Sequence, residues 1–116
     1  MLQESGVRTI GSEELYEIRA EVAKSLSHPL RLKIIDLLSS EDELCVQDLT
    51  ARLEASQSSI SKHLKILRQS GIVGRESEGL KNYYSLRVPC VAGFFDCLDE
   101  ILREEYLDRS DRLNLT

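Results

Sequence analysis

The chain has 116 residues, 41% hydrophobic and 30% charged, with two prolines, six glycines and no tryptophan, which fits one compact domain rather than two domains or a disordered tail. A chain this short has little room for a large active-site cleft, and a small core completed by a partner subunit is the natural expectation. The net charge of −5 speaks at first sight against nucleic acid, no run approaches the ~18 apolar residues of a membrane span, and three widely spaced cysteines argue against a disulfide framework.

Residues 1–11 show no periodicity and read as a flexible arm without the basic and apolar regions of a signal peptide, so a cytoplasmic location is expected. From Ser12, a good N-cap, Leu15, Ile18, Val22 and Leu26 recur at helical spacing behind Glu13, Glu14 and Glu17. His28-Pro29 ends that helix and starts a second, with proline at its first position and Leu30, Ile34, Leu37 and Leu38 as its apolar stripe. After the polar turn 41–43, a short third helix spans about Val46 to Leu53, capped by Cys45 with Asp48 in the acidic place of a capping box. Ser56 caps a fourth helix with Ile60, Leu64 and Leu67 inside, and Ser70-Gly71 stops it. Residues 72–76 and 81–86 read as a β-hairpin around a polar turn at 77–80. Val88-Pro89 begins a last helix whose apolar positions Val91, Phe94, Phe95, Leu98, Ile101, Leu102 and Tyr106 cover more than one face. Residues 12–108 therefore form one domain, followed by a tail at 109–116. The first and last helices carry more apolar surface than peripheral helices need, which predicts a two-fold dimer interface between them.

Two short helices separated by about three residues make a helix-turn-helix, and the hairpin behind them makes a wing. The fold expected is mainly α with a small β-hairpin: four helices, two strands and a fifth helix, a winged helix-turn-helix dimerising through its first and last helices.

The charge is unevenly spread. Residues 52–87 hold seven Lys/Arg against three acids, a local +4, while the remainder carries −9. The outer face of the fourth helix presents Gln57, Ser58, Ser59, Ser61, Lys62, Lys65 and Gln69 with no acid among them. Gln suits adenine edges, Ser bases or phosphates, and Lys guanine or phosphate, so this surface fits a major groove. Arg75 and Lys81 on the wing can reach the backbone or an adjacent minor groove. His63 has two readings, a contact to a phosphate or a cap on a neighbouring group, or a structural role, packed or facing solvent. His28 reads as the N-cap of its helix, and two histidines are too few for a His-rich metal site.

The runs Ser27-His28-Pro29-Leu30-Arg31-Leu32-Lys33-Ile34-Ile35, Glu43-Leu44-Cys45-Val46-Gln47-Asp48-Leu49, Ser56-Gln57-Ser58-Ser59-Ile60-Ser61-Lys62-His63-Leu64-Lys65, on through Val73, and Tyr83-Tyr84-Ser85-Leu86 resemble the ArsR/SmtB family of winged-helix repressors over residues 12 to 106. The resemblance implies a homodimeric repressor, not an enzyme, that binds palindromic double-stranded operator DNA and leaves it when an effector binds. It places recognition at Gln57, Ser58, Ser59, Ser61 and Lys62, with His63 close by. A Cys-Val-Cys pattern serves some members as an arsenic and lead site; Cys45-Val46-Gln47 keeps its first cysteine and lacks its second. The stretch after Val88 lacks the histidines of the family's zinc pattern.

The effector candidates are thus Cys45, Cys90 and Cys97. Cys90 and Cys97 lie seven residues apart, about 10.5 Å along an ideal helix, too far for a disulfide without unwinding and too far to share an ion unless Cys45, a second subunit or an irregular helix start at Pro89 contributes. A thiophilic ion such as As(III), Cd, Pb or Zn suits thiolates. Cys45 and Cys90 are also placed at helix starts, where the dipole favours an anion, so redox or reactive-sulfur sensing is the alternative. Cys97 among Phe94, Phe95, Leu98 and Ile101 reads equally as a small apolar filler.

Overall fold

A computed structural model describes residues 9–107. Its elements are α1 (Ser12–Lys24), α2 (Pro29–Ser40), β1 (Leu44–Cys45), α3 (Val46–Leu53), α4 (Gln57–Gln69), β2 (Val73–Glu78), β3 (Lys81–Leu86), a 3-10 turn (Pro89–Ala92), α5 (Gly93–Leu102) and a closing π turn (Arg103–Leu107). Most of the expected N-terminal arm and the whole 109–116 tail lie outside the described residues.

Local chemistry sets the helix ends. His28 Nδ1 accepts the Leu30 N–H at 3.0 Å, with Pro29 at the first position where no N–H is needed. Ser56 Oγ accepts the Ser59 N–H at 3.1 Å, and Asp48 Oδ2 accepts the Cys45 N–H at 3.1 Å. Helix α4 ends on Gly71 at φ +85°, with the Gly71 N–H on the Arg68 carbonyl and the Ile72 N–H on the Leu67 carbonyl, the paired bonds of a Schellman stop. One expected cap differs. Gly11 precedes α1 in extended conformation without a side-chain bond, and Ser12 is the first helical residue.

The sheet has three strands in the order β1-β3-β2, not the hairpin alone, because Leu44 and Cys45 pair with Tyr84 and Tyr83. Two residues are too few to show the alternation that marks a strand in sequence. Ile34, Ile35, Leu38, Leu49, Ile60, Leu64, Leu67, Ile72 and Val73 form the core, closed by Leu44 and Tyr84 of the sheet.

The last helix also starts later than the proline suggested. Residues 89–92 wind as a 3-10 turn, with the Val91 N–H on the Val88 carbonyl at 3.0 Å, and α5 begins at Gly93. Val91 and Phe95 pack on the core while Phe94 and Ile101 stay exposed. Helix α1 contains no buried residue, and its Tyr16, Ile18 and Val22 lie open. No described helix is long and apolar enough to cross a membrane.

Candidate nucleic-acid interface

Helix α4 divides cleanly into two sides. Ile60, His63, Leu64 and Leu67 are buried, whereas Gln57, Ser58, Ser61, Lys62, Lys65 and Gln69 are exposed and Ser59 is half-buried, its N–H held by the cap. The exposed side spans the full length of the helix and carries Lys62 and Lys65 with no carboxylate of its own. An α-helix fits the B-DNA major groove, and serines in its first turns let its backbone approach base edges closely.

His63 belongs to the other side. It is 7% exposed, its Nδ1 receives a hydrogen bond from the Arg31 guanidinium at 3.0 Å, and its ring centroid lies 4.2 Å from that of His28. Burial, with His28, Arg31 and Lys62 nearby, holds its pKa below the ordinary histidine value. The packed reading of His63 therefore holds, and the phosphate contact drops out. Its place gave the signal: residue 63 follows Ile60 by three and precedes Leu67 by four, on the apolar stripe.

The wing is built on a two-residue turn, with Gly79 at φ +66° supplying the left-handed conformation. Arg75 is opposite Tyr84, whereas Lys81 is opposite Glu78, three residues further along β2. Side chains alternate along a strand, so Arg75 and Lys81 project from opposite faces of the wing rather than together. Lys81 lines a concavity of about 170 Å³ with Gln57, Cys45, Gln47, Leu80 and Asn82, which joins the wing turn to the first residue of α4. Arg75 stands apart from that group.

Cys45, buried at the start of α3, points its thiol at Asp48 Oδ2, 3.2 Å away, with Gln47 Oε1 at 3.6 Å. The Cys45 backbone N–H and thiol, followed by Lys81 and Arg52, hold the Asp48 carboxyl below the usual carboxylate range. Cys90 and Cys97 are exposed, Cys90 at the start of the 3-10 turn that runs directly on into α5. An exposed Cys97 is no core filler in the single protomer. Among the described residues no three His, Cys, Asp or Glu side chains gather where one ion could be held. The described residues of one protomer therefore do not fit a thiolate metal centre.

Sequence reasoning missed Arg31. Its NH1 reaches His63 and its Nε reaches the Ser25 carbonyl at 2.6 Å, so it joins α2, α4 and the end of α1. Its spacing of four before Ile35 was the available sign that it faces inward.

Comparison with known proteins agrees with this geometry. The family described as "Bacterial regulatory protein, arsR family" matches residues 28–74. The uncharacterized HTH-type transcriptional regulator Rv0081 of Mycobacterium tuberculosis is 32% identical over 98 residues, 84% of this chain and 86% of that protein. Its crystal structure superposes with a TM-score of 0.72 at 31% identity, covering 84% of this chain and 98% of that one. The arsenical resistance operon repressor of Escherichia coli is 39% identical over 85 residues, 73% of each chain. The solution structure of a homodimeric winged helix-turn-helix DNA-binding domain from Mycobacterium bovis, a possible ArsR-family regulator, covers 96% of this chain and all of that one at TM-score 0.70 and 26% identity. The chain carries the winged helix-turn-helix and belongs to the arsR family of bacterial regulatory proteins, which are transcriptional regulators and not enzymes.

Proposed function

We propose that the protein is a homodimeric repressor that reads double-stranded operator DNA in the cytoplasm with α4 and lets it go when an effector reaches its thiols. The observation that carries the DNA reading is the acid-free outer side of α4, with Gln57, Ser58, Ser59, Ser61, Lys62 and Lys65 presented along one face of a rigidly capped helix. Lys81 extends it from the wing and Arg75 offers a cation on the wing's other face.

Dimerisation through α1 and α5 is supported by the open Ile18 and Val22 of α1 and Phe94 and Ile101 of α5, and by a relative whose solved structure is homodimeric. Such a dimer presents its two recognition helices about 34 Å apart to successive major grooves. An effector acts by changing that spacing.

The effector reading is a thiophilic metal or metalloid such as arsenite, the class named for the Escherichia coli relative. Cys45, Cys90 and Cys97 are not gathered in one protomer, so such an ion would have to draw thiolates from both. A second reading, oxidation or reactive-sulfur modification, is favoured by the exposure of Cys90 and Cys97. One titration separates them. The reduced protein, bound to a duplex it has selected from a random library, is challenged with arsenite, Cd(II), Zn(II), peroxide and polysulfide while DNA release and thiol mass are followed. Release with only bound-ion mass supports the metalloid reading, release with covalent thiol mass supports the second, and release by none overturns both. Failure to select any duplex overturns the DNA reading itself.

A further inference from the structure

Beyond its thiols, the protein holds a cluster that the DNA reading does not use. His28, Arg31 and His63 meet beneath α4, on the side turned away from the proposed duplex. Four of its polar atoms have defined partners. His28 Nδ1 is occupied by the Leu30 N–H that starts α2. Arg31 spends its Nε on the Ser25 carbonyl, the residue that closes α1, and its NH1 on His63. A guanidinium only donates, so His63 Nδ1 must accept, and the imidazole is neutral with its proton on Nε2.

We propose that the Arg31–His63 contact is a proton-sensitive clamp that seats the recognition helix for DNA and ties it to the end of α1. In the neutral state one N–H···N bond holds α4 to α2 at 3.0 Å. A proton arriving on Nδ1 removes the acceptor lone pair and leaves two donors, both positive, facing each other at that distance. The groups facing His63 are His28, the cap of α2, and Arg31 from α2, while Lys62 on the outer side of α4 acts only through its charge, and each opposes a further positive charge. From α1, Glu21 and Lys24 line a neighbouring concavity with Ser25, Arg31 and Ile66, so the charged groups of that helix lie next to Arg31. Releasing the clamp lets α4 shift against α2 while its apolar side stays in the core. Burial of His63 resists this protonation until the pH falls below the ordinary histidine range.

The inference rests on the reading of α4 as the DNA-contacting helix, and the direction of the effect sets it apart from general electrostatics. Protons taken up on acidification make an acidic protein less negative and so favour non-specific DNA binding. The clamp predicts the opposite for specific binding.

The test measures fluorescence anisotropy of the library-selected duplex against the full chain at pH 7.5 and 5.5, with an unrelated duplex as control. Wild-type specific affinity is expected to fall across that range by less than about tenfold, the limit for one proton bound by a histidine titrating below its ordinary value, and His63→Gln, whose side-chain oxygen can accept from Arg31 but does not titrate, is expected to flatten the fall. A wild-type affinity that is flat or rises on acidification overturns the clamp, as does a His63→Gln variant that keeps the wild-type pH ratio. The chain has two histidines, so imidazole 15N NMR of the wild-type protein reads His63 directly even if the variant folds poorly. An Nε2-protonated neutral ring titrating below the ordinary range supports the clamp, and an Nδ1-protonated ring overturns it. No selected duplex at any pH sinks the DNA reading, while the NMR result still decides the Arg31–His63 bond.

Discussion

Ser56 and Lys62 stand six residues apart and serve α4 in different ways. Ser56 Oγ satisfies the Ser59 N–H that the helix leaves without an internal partner, and Ser56→Ala is expected to lower unfolding free energy by about 1 kcal/mol in urea melts. Leu64 is fully enclosed, so Leu64→Ala should cost about 2–5 kcal/mol in the same melts. Lys62 lies on the open side of the helix, and its truncation should leave the melt within about 0.5 kcal/mol. The buried His63 has a folded-state pKa below its unfolded one, so its contribution to stability is complete above the unfolded pKa and is lost as pH falls toward the folded one. Thermal melts should therefore decline below about pH 6.5, and more steeply than those of His63→Gln. The caps at His28, Cys45-Asp48 and Ser56 were legible because each is a local bond between neighbours in sequence. His63 was ambiguous because its partner Arg31 lies 32 residues away, and only the register of the apolar stripe pointed inward.

The elements that periodicity describes well were found where expected in α2, α3 and α4, and the hairpin differs in its turn: Ser77 and Glu78, expected in a polar turn at 77–80, pair with Asn82 and Lys81 and extend β2. Those it describes poorly were not. β1 has two residues, too short to alternate, and exists because β3 offers it an edge. The turn at Pro89–Ala92 shares apolar residues with α5, so the composition runs straight across a change from 3-10 to α winding. Gly71 carries the clearest element-scale consequence. Its φ of +85° lies in the left-handed region, and a Cβ there would meet nothing within 4 Å, so Gly71→Ala isolates the backbone cost. Urea melts should show a drop of about 1 kcal/mol from weakening the α4 stop.

At the scale of the whole molecule, two helices with open apolar residues flank one compact core. Helix α1 buries no residue of its own, and α5 turns Phe95 inward, as the turn before it does Val91, while Phe94 and Ile101 stay outside. Dimerisation through these helices predicts that Ile18→Glu shifts sedimentation toward the monomer and weakens operator binding by more than about tenfold while the far-UV spectrum is preserved. A variant that stays dimeric places the interface elsewhere. The charge asymmetry follows the same geography, with a local +4 over residues 52–87 that includes α4 and the wing, and −9 elsewhere. That pattern steers the acidic body away from phosphate and the basic face toward it.

The central claim is that the outer side of α4 touches DNA, and Lys62 tests it most directly. Affinity for the selected duplex, measured over a series of salt concentrations, should fall for Lys62→Ala. If the ammonium neutralises one phosphate, the slope of log affinity against log salt should become shallower by roughly one unit. Unchanged affinity and slope would contradict the account at this residue and remove Lys62 from the interface.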